Sequence, residues 1–225
     1  MEKSTVRCLL AAALLQIFIG VAGASPLAGD IRFDHLTISD GLSSSSVSSI
    51  VQDSEGFIWF GTQSGLNRYD GYSVERFEHA PFDRTSLSHN LVQTIHYDEP
   101  DDILWVGTYG GLNRFDPRLG AFTHYDNSHD DSHSLSNNVV VAIEHDARHD
   151  LWVGTLEGLN RFEPETGTFD RYLPADEPGA LPDKVVRDIR ADRLGRLWIG
   201  TYGGLSQYVP GTNTFETLTT GAPDG

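Results

Sequence analysis

Four tryptophans at a fixed spacing, a glycine-centred hairpin behind each, and the lack of any long amphipathic run together predict an all-β chain. Trp59, Trp105, Trp152 and Trp198 lie 46, 47 and 46 residues apart and open the octets WFGTQSGL, WVGTYGGL, WVGTLEGL and WIGTYGGL. A period in the forties belongs to β-propeller blades or to paired-helix repeats. Here Gly, Pro or Asp-rich turns interrupt the chain about every ten residues, which leaves no room for paired helices. The prediction is a β-propeller of four four-stranded blades, each of about 46 residues, forming an incomplete, open part of a larger propeller.

Each strand has its own local reason. A Val-x-x-Ile stretch opens every unit (Val47 to Ile50, Val92 to Ile95, Val140 to Ile143, Val186 to Ile189) and runs into an acidic turn, Asp53 to Gly56 in the first; this is strand A. Strand B, Ile58 to Thr62 in unit one, mixes aromatic and β-branched residues as a buried strand does. Gln63-Ser64-Gly65 follows, and Gly65 can take the left-handed conformation that a short hairpin needs. Strand C is Leu66 to Tyr69. Strand D is an aromatic-x-x-aromatic pattern, as in Phe122 to Tyr125 and Phe169 to Tyr172, with Phe215 to Leu218 in unit four. The blades then occupy residues 46–79, 91–126, 138–173 and 184–219. Phe33-x-x-Leu36 has the spacing of a strand D and predicts a leading outer strand over 31–38. Unit four already has its own strand D, so that leading strand is surplus. The array is therefore expected to need further blades downstream, or a second copy, to cover its edges.

The ends and the charge bound the location. Residues 1–24 read as a secretory signal peptide, with Lys3 and Arg7 ahead of an apolar stretch and Ala22-Gly23-Ala24 as the cleavage site, the alternative being an uncleaved anchor. Cleavage after Ala24 would deliver a periplasmic or extracellular product without membrane contact of its own. Cys8, the only cysteine, lies in that segment, so the exported part can form no disulfide. The formal net charge of -16 argues against nucleic acid as a partner, since phosphate binding draws on basic patches.

A combined pattern runs through the exported part: Ser-Leu-Ser-x-Asn (Ser86 to Asn90, Ser134 to Asn138), Val-x-x-Ile, then Asp-x-x-Gly-x-x-Trp-x-Gly-Thr-x-x-Gly-Leu-x-x-aromatic. It resembles the two-component regulator propeller repeat. The resemblance implies an extracytoplasmic sensor domain of the kind that hybrid histidine kinases and some diguanylate cyclases carry, with the signalling output domain elsewhere. Unit four departs from the pattern at Leu181-Pro182-Asp183-Lys184 and at Ser206-Gln207, and the Asp-x-x-Gly turn is altered in units two and three.

Candidate chemistry is sparse. The tryptophans, in identical phase in every unit, read as inter-blade core, and Asp-x-x-Gly before Trp59 and Trp198 as a type I turn. Arg68, Arg114 and Arg161 are expected to pair with nearby acids. His129 and His133, and His145 and His149, are each separated by three residues. The two pairs lie in a D-to-A loop and an A-to-B loop, at opposite ends of a blade, so no metal site is expected from them. No Gly-x-Ser-x-Gly elbow and no cofactor motif occur. D-to-A loops and B-to-C hairpins share one face, which varies most between units. Its hairpins carry Gln63, Tyr109, Glu157 and Tyr202 and its loops His89, Asn90, Asn138 and Asp183. These eight are the candidate ligand-binding residues, for a neutral glycan or a peptide. The reading is a non-catalytic sensing or binding module. The alternatives are a glycan hydrolase or lyase built on a propeller, and a purely structural interaction scaffold.

Overall fold

A computed structural model describes residues 33–218. The predicted signal segment 1–24 and position 219 of the fourth unit lie outside the described residues. Sixteen strands follow in order: β1 (Val47–Gln52), β2 (Ile58–Thr62), β3 (Gly65–Tyr69), β4 (Val74–Phe77), β5 (Val92–Asp98), β6 (Ile103–Thr108), β7 (Gly111–Asp116), β8 (Ala121–Tyr125), β9 (Val140–His145), β10 (Leu151–Thr155), β11 (Gly158–Glu163), β12 (Thr168–Tyr172), β13 (Val186–Ala191), β14 (Leu197–Thr201), β15 (Gly204–Val209) and β16 (Thr214–Thr217). They form four antiparallel sheets of four strands, each sheet made of consecutive strands in chain order. The all-β, four-bladed expectation is met.

The first strands of successive blades adjoin, β1 with β5, β5 with β9 and β9 with β13, while β1 and β13 do not pack together. The array is open. Three apolar cores lie between its blades. Trp59, Val92 and Phe115 anchor the first, Trp105, Val140 and Phe162 the second, and Trp152, Val186 and Tyr208 the third. In each, the indole of one blade meets an aromatic ring on the third strand of the next, at centroid distances of 5.4, 5.3 and 4.6 Å. Such offset or edge-on contacts suit the ring quadrupoles. Trp59, Trp105 and Trp152 are inter-blade core, as their common phase predicted, whereas Trp198 on the last blade is only half-buried.

The glycine of Trp-x-Gly-Thr sets how closely blades approach. A Cβ added to Gly61, Gly107 or Gly154 would stand 2.7, 2.6 or 2.5 Å from a methyl of Val92, Val140 or Val186 in the next blade. Each valine thus sits in the hollow that the preceding glycine leaves. At Gly200 an added Cβ would meet nothing nearer than 3.8 Å. At the other end Val47, which holds the register position of those valines, is 38% exposed where they are fully buried. Burial along the second strands agrees. Every residue of β6 and β10 is buried, but β2 is only half-buried at Ile58 and Phe60, and β14 at Trp198, Gly200 and Thr201. A strand buried on both faces reads as a continuous apolar run, and one with an open face loses alternate positions.

One expected element differs. Residues 33–37 form no strand, and Ile38–Asp40 make a single 3-10 turn with a capping box between Thr37 and Asp40. All four sheets already own an outer strand, so no three-stranded sheet remains for a leading strand to complete. The chain turns instead into β1, and the Arg76 side chain on β4 holds this lead by donating to the carbonyls of Gly41 and Leu42.

Gly107→Ala should lower stability by about 1–3 kcal/mol, the range for overpacking a tight core. Gly200→Ala, the same change in the same motif, should stay within about 0.5 kcal/mol of the parent. Urea unfolding of the two variants checks both.

Candidate functional site

The variable face is held by a repeated buried polar latch. Asn67, Asn113 and Asn160 on the third strands are fully buried. Each carboxamide oxygen accepts from the backbone N–H of a loop serine, Ser43, Ser88 or Ser136, at 2.9, 2.8 and 2.8 Å. The same serine hydroxyls share hydrogen bonds with Thr62, Thr108 and Thr155 at 2.9, 2.9 and 2.8 Å. Blade 4 changes both halves together. Pro182 replaces the serine and has no N–H to donate, and Ser206 replaces the asparagine and turns to Thr217 at 2.9 Å. The loop leucines beside the latch, Leu42, Leu87, Leu135 and Leu181, are buried in all four units.

On this frame the eight candidate residues take different places. Gln63, Tyr109, Glu157 and Tyr202 sit at the hairpins between second and third strands, and His89, Asn90, Asn138 and Asp183 in the loops that precede first strands. His89 and Tyr109 face each other with ring centroids 6.1 Å apart. Glu157 meets Lys184 of the next blade at 3.3 Å, and Arg187 lies 5.5 Å from the Tyr202 ring. Tyr109 is 45% and Tyr202 71% exposed. Three others are engaged by the backbone. Asn90 and Asn138 accept from the N–H groups of His79 and Asn127, each at 2.6 Å, and Asp183 accepts from Val185 at 2.7 Å. One pair of the eight, His89 and Tyr109, is therefore brought together, Glu157 and Tyr202 meet basic residues outside the set, and both asparagines brace loops. A hollow of about 200 Å³ lined by His79, Phe82, Asp83, Ser88, His124 and Asp126 lies beside the blade 2 rim and contains none of the eight.

The opposite face carries the turns that follow first strands. In blades 1, 3 and 4 an aspartate caps the turn and also clamps the tryptophan. Asp53, Asp146 and Asp192 accept two backbone N–H groups on Oδ1. Their Oδ2 accepts the indole N–H of Trp59, Trp152 and Trp198 at 2.8, 3.1 and 3.0 Å. The Trp198 indole is the foremost reason that the Asp192 carboxyl is held below its ordinary range. Arg68 and Arg161 pair with Glu75 and Asp170, each at 2.6 Å, as expected, and Arg114 reaches Asp116 at 3.9 Å. A cleft of about 270 Å³ between blades 1 and 2 is lined by Asp53, Glu55, Arg68, Asp102 and Arg118.

Blade 2 breaks the rule. Its turn is one residue longer, and Asp98 does not reach the indole, whose buried Nε1 has no hydrogen-bond partner. Asp98 faces His145 and His149 of blade 3 instead, at 3.5 and 3.2 Å. The His149 ring stacks on His145 at 4.3 Å, and His145 Nδ1 shares a hydrogen bond with His96 Nε2 at 2.9 Å. Burial first, then the neighbouring imidazoles, push His96 and His145 down to about 4, and burial pushes the Asp98 carboxyl up. The two histidine pairs of the sequence do not converge. One of them meets a carboxylate and a third histidine from the preceding blade, a grouping the sequence reading missed. Its sequence signals were the spacing of His145 and His149 and the altered Asp-x-x-Gly turn in units two and three.

Comparison with known proteins agrees with this architecture. Residues 41–64, 134–157 and 180–203 match the family model for the two component regulator propeller. A stretch of 56 residues, 25% of this chain, is 46% identical to histidine kinase P4 of Formosa agariphila, of which it covers 4%. Among solved structures, the extracellular domain assigned to a hybrid two component system of B. thetaiotaomicron is 29% identical with a TM-score of 0.75, over 83% of this chain and 26% of that one. A second extracellular domain from the same organism, assigned to a one component system, is 25% identical with a TM-score of 0.67, over 84% and 28%. This chain thus spans about a quarter of those solved relatives. Virginiamycin B lyase from Staphylococcus aureus shares the fold at 12% identity and a TM-score of 0.57. No helix among the described residues is long and apolar enough to cross a membrane.

Asn113→Ala should cost about 1–3 kcal/mol, because it leaves the Ser88 N–H without its acceptor. Asp146→Ala should cost a similar amount and shift the Trp152 indole N–H resonance. Asp98→Ala should leave the Trp105 indole resonance in place. Thermal unfolding and indole NMR check the set. In three of its four blades, over residues 41–64, 134–157 and 180–203, this chain thus carries the two component regulator propeller motif.

Proposed function

We propose that the chain is a ligand-sensing or binding propeller module of a bacterial signal-transduction system, acting outside the cytoplasm and non-catalytic in itself. The observation that carries this reading is its likeness to extracellular domains of two component systems. The contrast between a shared core, with the Asn–Ser latch in three of the four blades, and a varied rim supports it, since rigid repeats build specificity on such a face. A signalling output domain, and blades that cover the Gly200 and Val47 faces, belong to the proposal. A second copy is the alternative cover for those faces. The lyase likeness is one of fold alone and supports no catalytic role for these residues.

The rim side chains suit a neutral glycan or a peptide. Tyr109 and Tyr202 offer aromatic faces, and His89 and the Glu157–Lys184 pair offer hydrogen bonds. Glycan and peptide pools should raise the thermal midpoint of the exported protein, with no new product by mass spectrometry. The Tyr109→Ala and Tyr202→Ala double variant should keep its unliganded midpoint and bind the identified ligand about tenfold or more weakly. Undiminished binding by that variant would exclude the rim, and product formation would replace the sensor with an enzyme.

A further inference from the structure

The centre made by Asp98, His145 and His149 stands apart from the rim, on the opposite face, and no rim residue takes part in it. Asp98 ends β5, His145 ends β9, and His149 lies in the turn that follows β9. One ligand-type atom from each falls within 4.8 Å of the other two. Asp98 Oδ2 lies 3.5 Å from His145 Nε2, and Asp98 Oδ1 lies 3.2 Å from His149 Nε2. A tetrahedral ion with bonds of about 2.0–2.1 Å holds its ligand atoms roughly 3.3 Å apart, so the spacing already suits one.

Three observations set this cluster apart from an ordinary ion pair. Asp98 is the register equivalent of Asp53, Asp146 and Asp192, yet it alone leaves its tryptophan unclamped and turns to the next blade. Its side chain is only 4% exposed, and its Oδ1 accepts no hydrogen bond although it faces an imidazole nitrogen. His149 occupies the turn position that Gly56 and Gly195 hold in blades 1 and 4, with φ of 67° against 92° and 78°. A histidine in left-handed backbone is costly where glycine is free, and outliers of this kind gather at functional sites.

We propose that Asp98, His145 and His149 bind a divalent transition-metal cation of the zinc type, which ties blade 2 to blade 3. The two imidazoles present Nε2, Asp98 presents carboxylate oxygen, and water completes a tetrahedron. His96 is the positioning residue. With the metal on Nε2, His145 carries its proton on Nδ1 and donates it to His96 Nε2 at 2.9 Å, which fixes tautomer and ring. Imidazole donors favour zinc, nickel or copper over calcium and magnesium, which take oxygen ligands.

The test uses the full exported chain without a polyhistidine tag, stripped with a chelator and titrated with zinc chloride by calorimetry and by thermal unfolding. One zinc per chain should bind and raise the midpoint, and magnesium or calcium should not. Asp98→Asn should abolish the zinc-dependent rise, and His96→Gln should weaken binding about tenfold to a hundredfold. His149→Gly guards against misfolding, because it relieves the backbone. Its metal-free midpoint should equal or exceed the parent's while its zinc response is lost. No zinc binding by the parent, or zinc binding undiminished in Asp98→Asn and His149→Gly, overturns the proposal. His129→Ala should change nothing, and loss of the response there would place the ion on the other histidine pair and overturn it equally.

Discussion

The close seating of one blade on the next, through a glycine hollow filled by a valine, is the contact on which the architecture depends. Gly61, Gly107 and Gly154 each admit a valine methyl that any side chain would displace. That approach brings the indoles within reach of the next blade's aromatic rings and lets the second strands bury both faces. Interiors at crystal-like density tolerate little extra volume, so the residue before the glycine can vary while a glycine seated on a valine cannot. WFGT, WVGT and WIGT all occur, and the glycine is common to them.

The two faces of the array are fixed by different polar devices. On the varied face a buried asparagine holds the incoming loop, and on the other an aspartate caps a turn while gripping an indole. Both satisfy backbone groups at places where irregular chain meets the core, the condition for burying a loop end at all. Where a device is altered, its partner is altered with it. Pro182 accompanies Ser206, and the lengthened turn after Asp98 accompanies an unpartnered Trp105 indole and the histidines of blade 3. Departures from the repeat are therefore the most informative positions in the chain.

Much of the fold was legible because the repeat multiplies weak local signals. One Val-x-x-Ile or one Gly-centred hairpin says little, but four in phase with four tryptophans leave few architectures. The Asp-x-x-Gly turns were readable as caps from residue type, whereas the second bond to the indole was not, since nothing in the spacing shows where the side chain points. Asn90 and Asn138 looked like ligand-facing amides, yet their oxygens accept loop N–H groups. The leading strand failed because a period-three apolar pair such as Phe33 and Leu36 carries no information about a partner edge. Asp98 and His145 were invisible as neighbours because they meet only through inter-blade stacking, from different repeats.

The unmated glycine and valine at the two ends give the molecule a head and a tail. Gly200 presents a hollow and Val47 a knob, halves of the contact repeated three times inside the chain. A two-fold pairing of like ends would set knob against knob and leave both hollows vacant. Any growth or capping that reuses this contact must therefore be heterologous, each end taking a differently shaped mate. With a formal charge of -16 on the chain, identical molecules also repel as they approach. Polarity of shape and uniformity of charge together favour completion by a distinct surface.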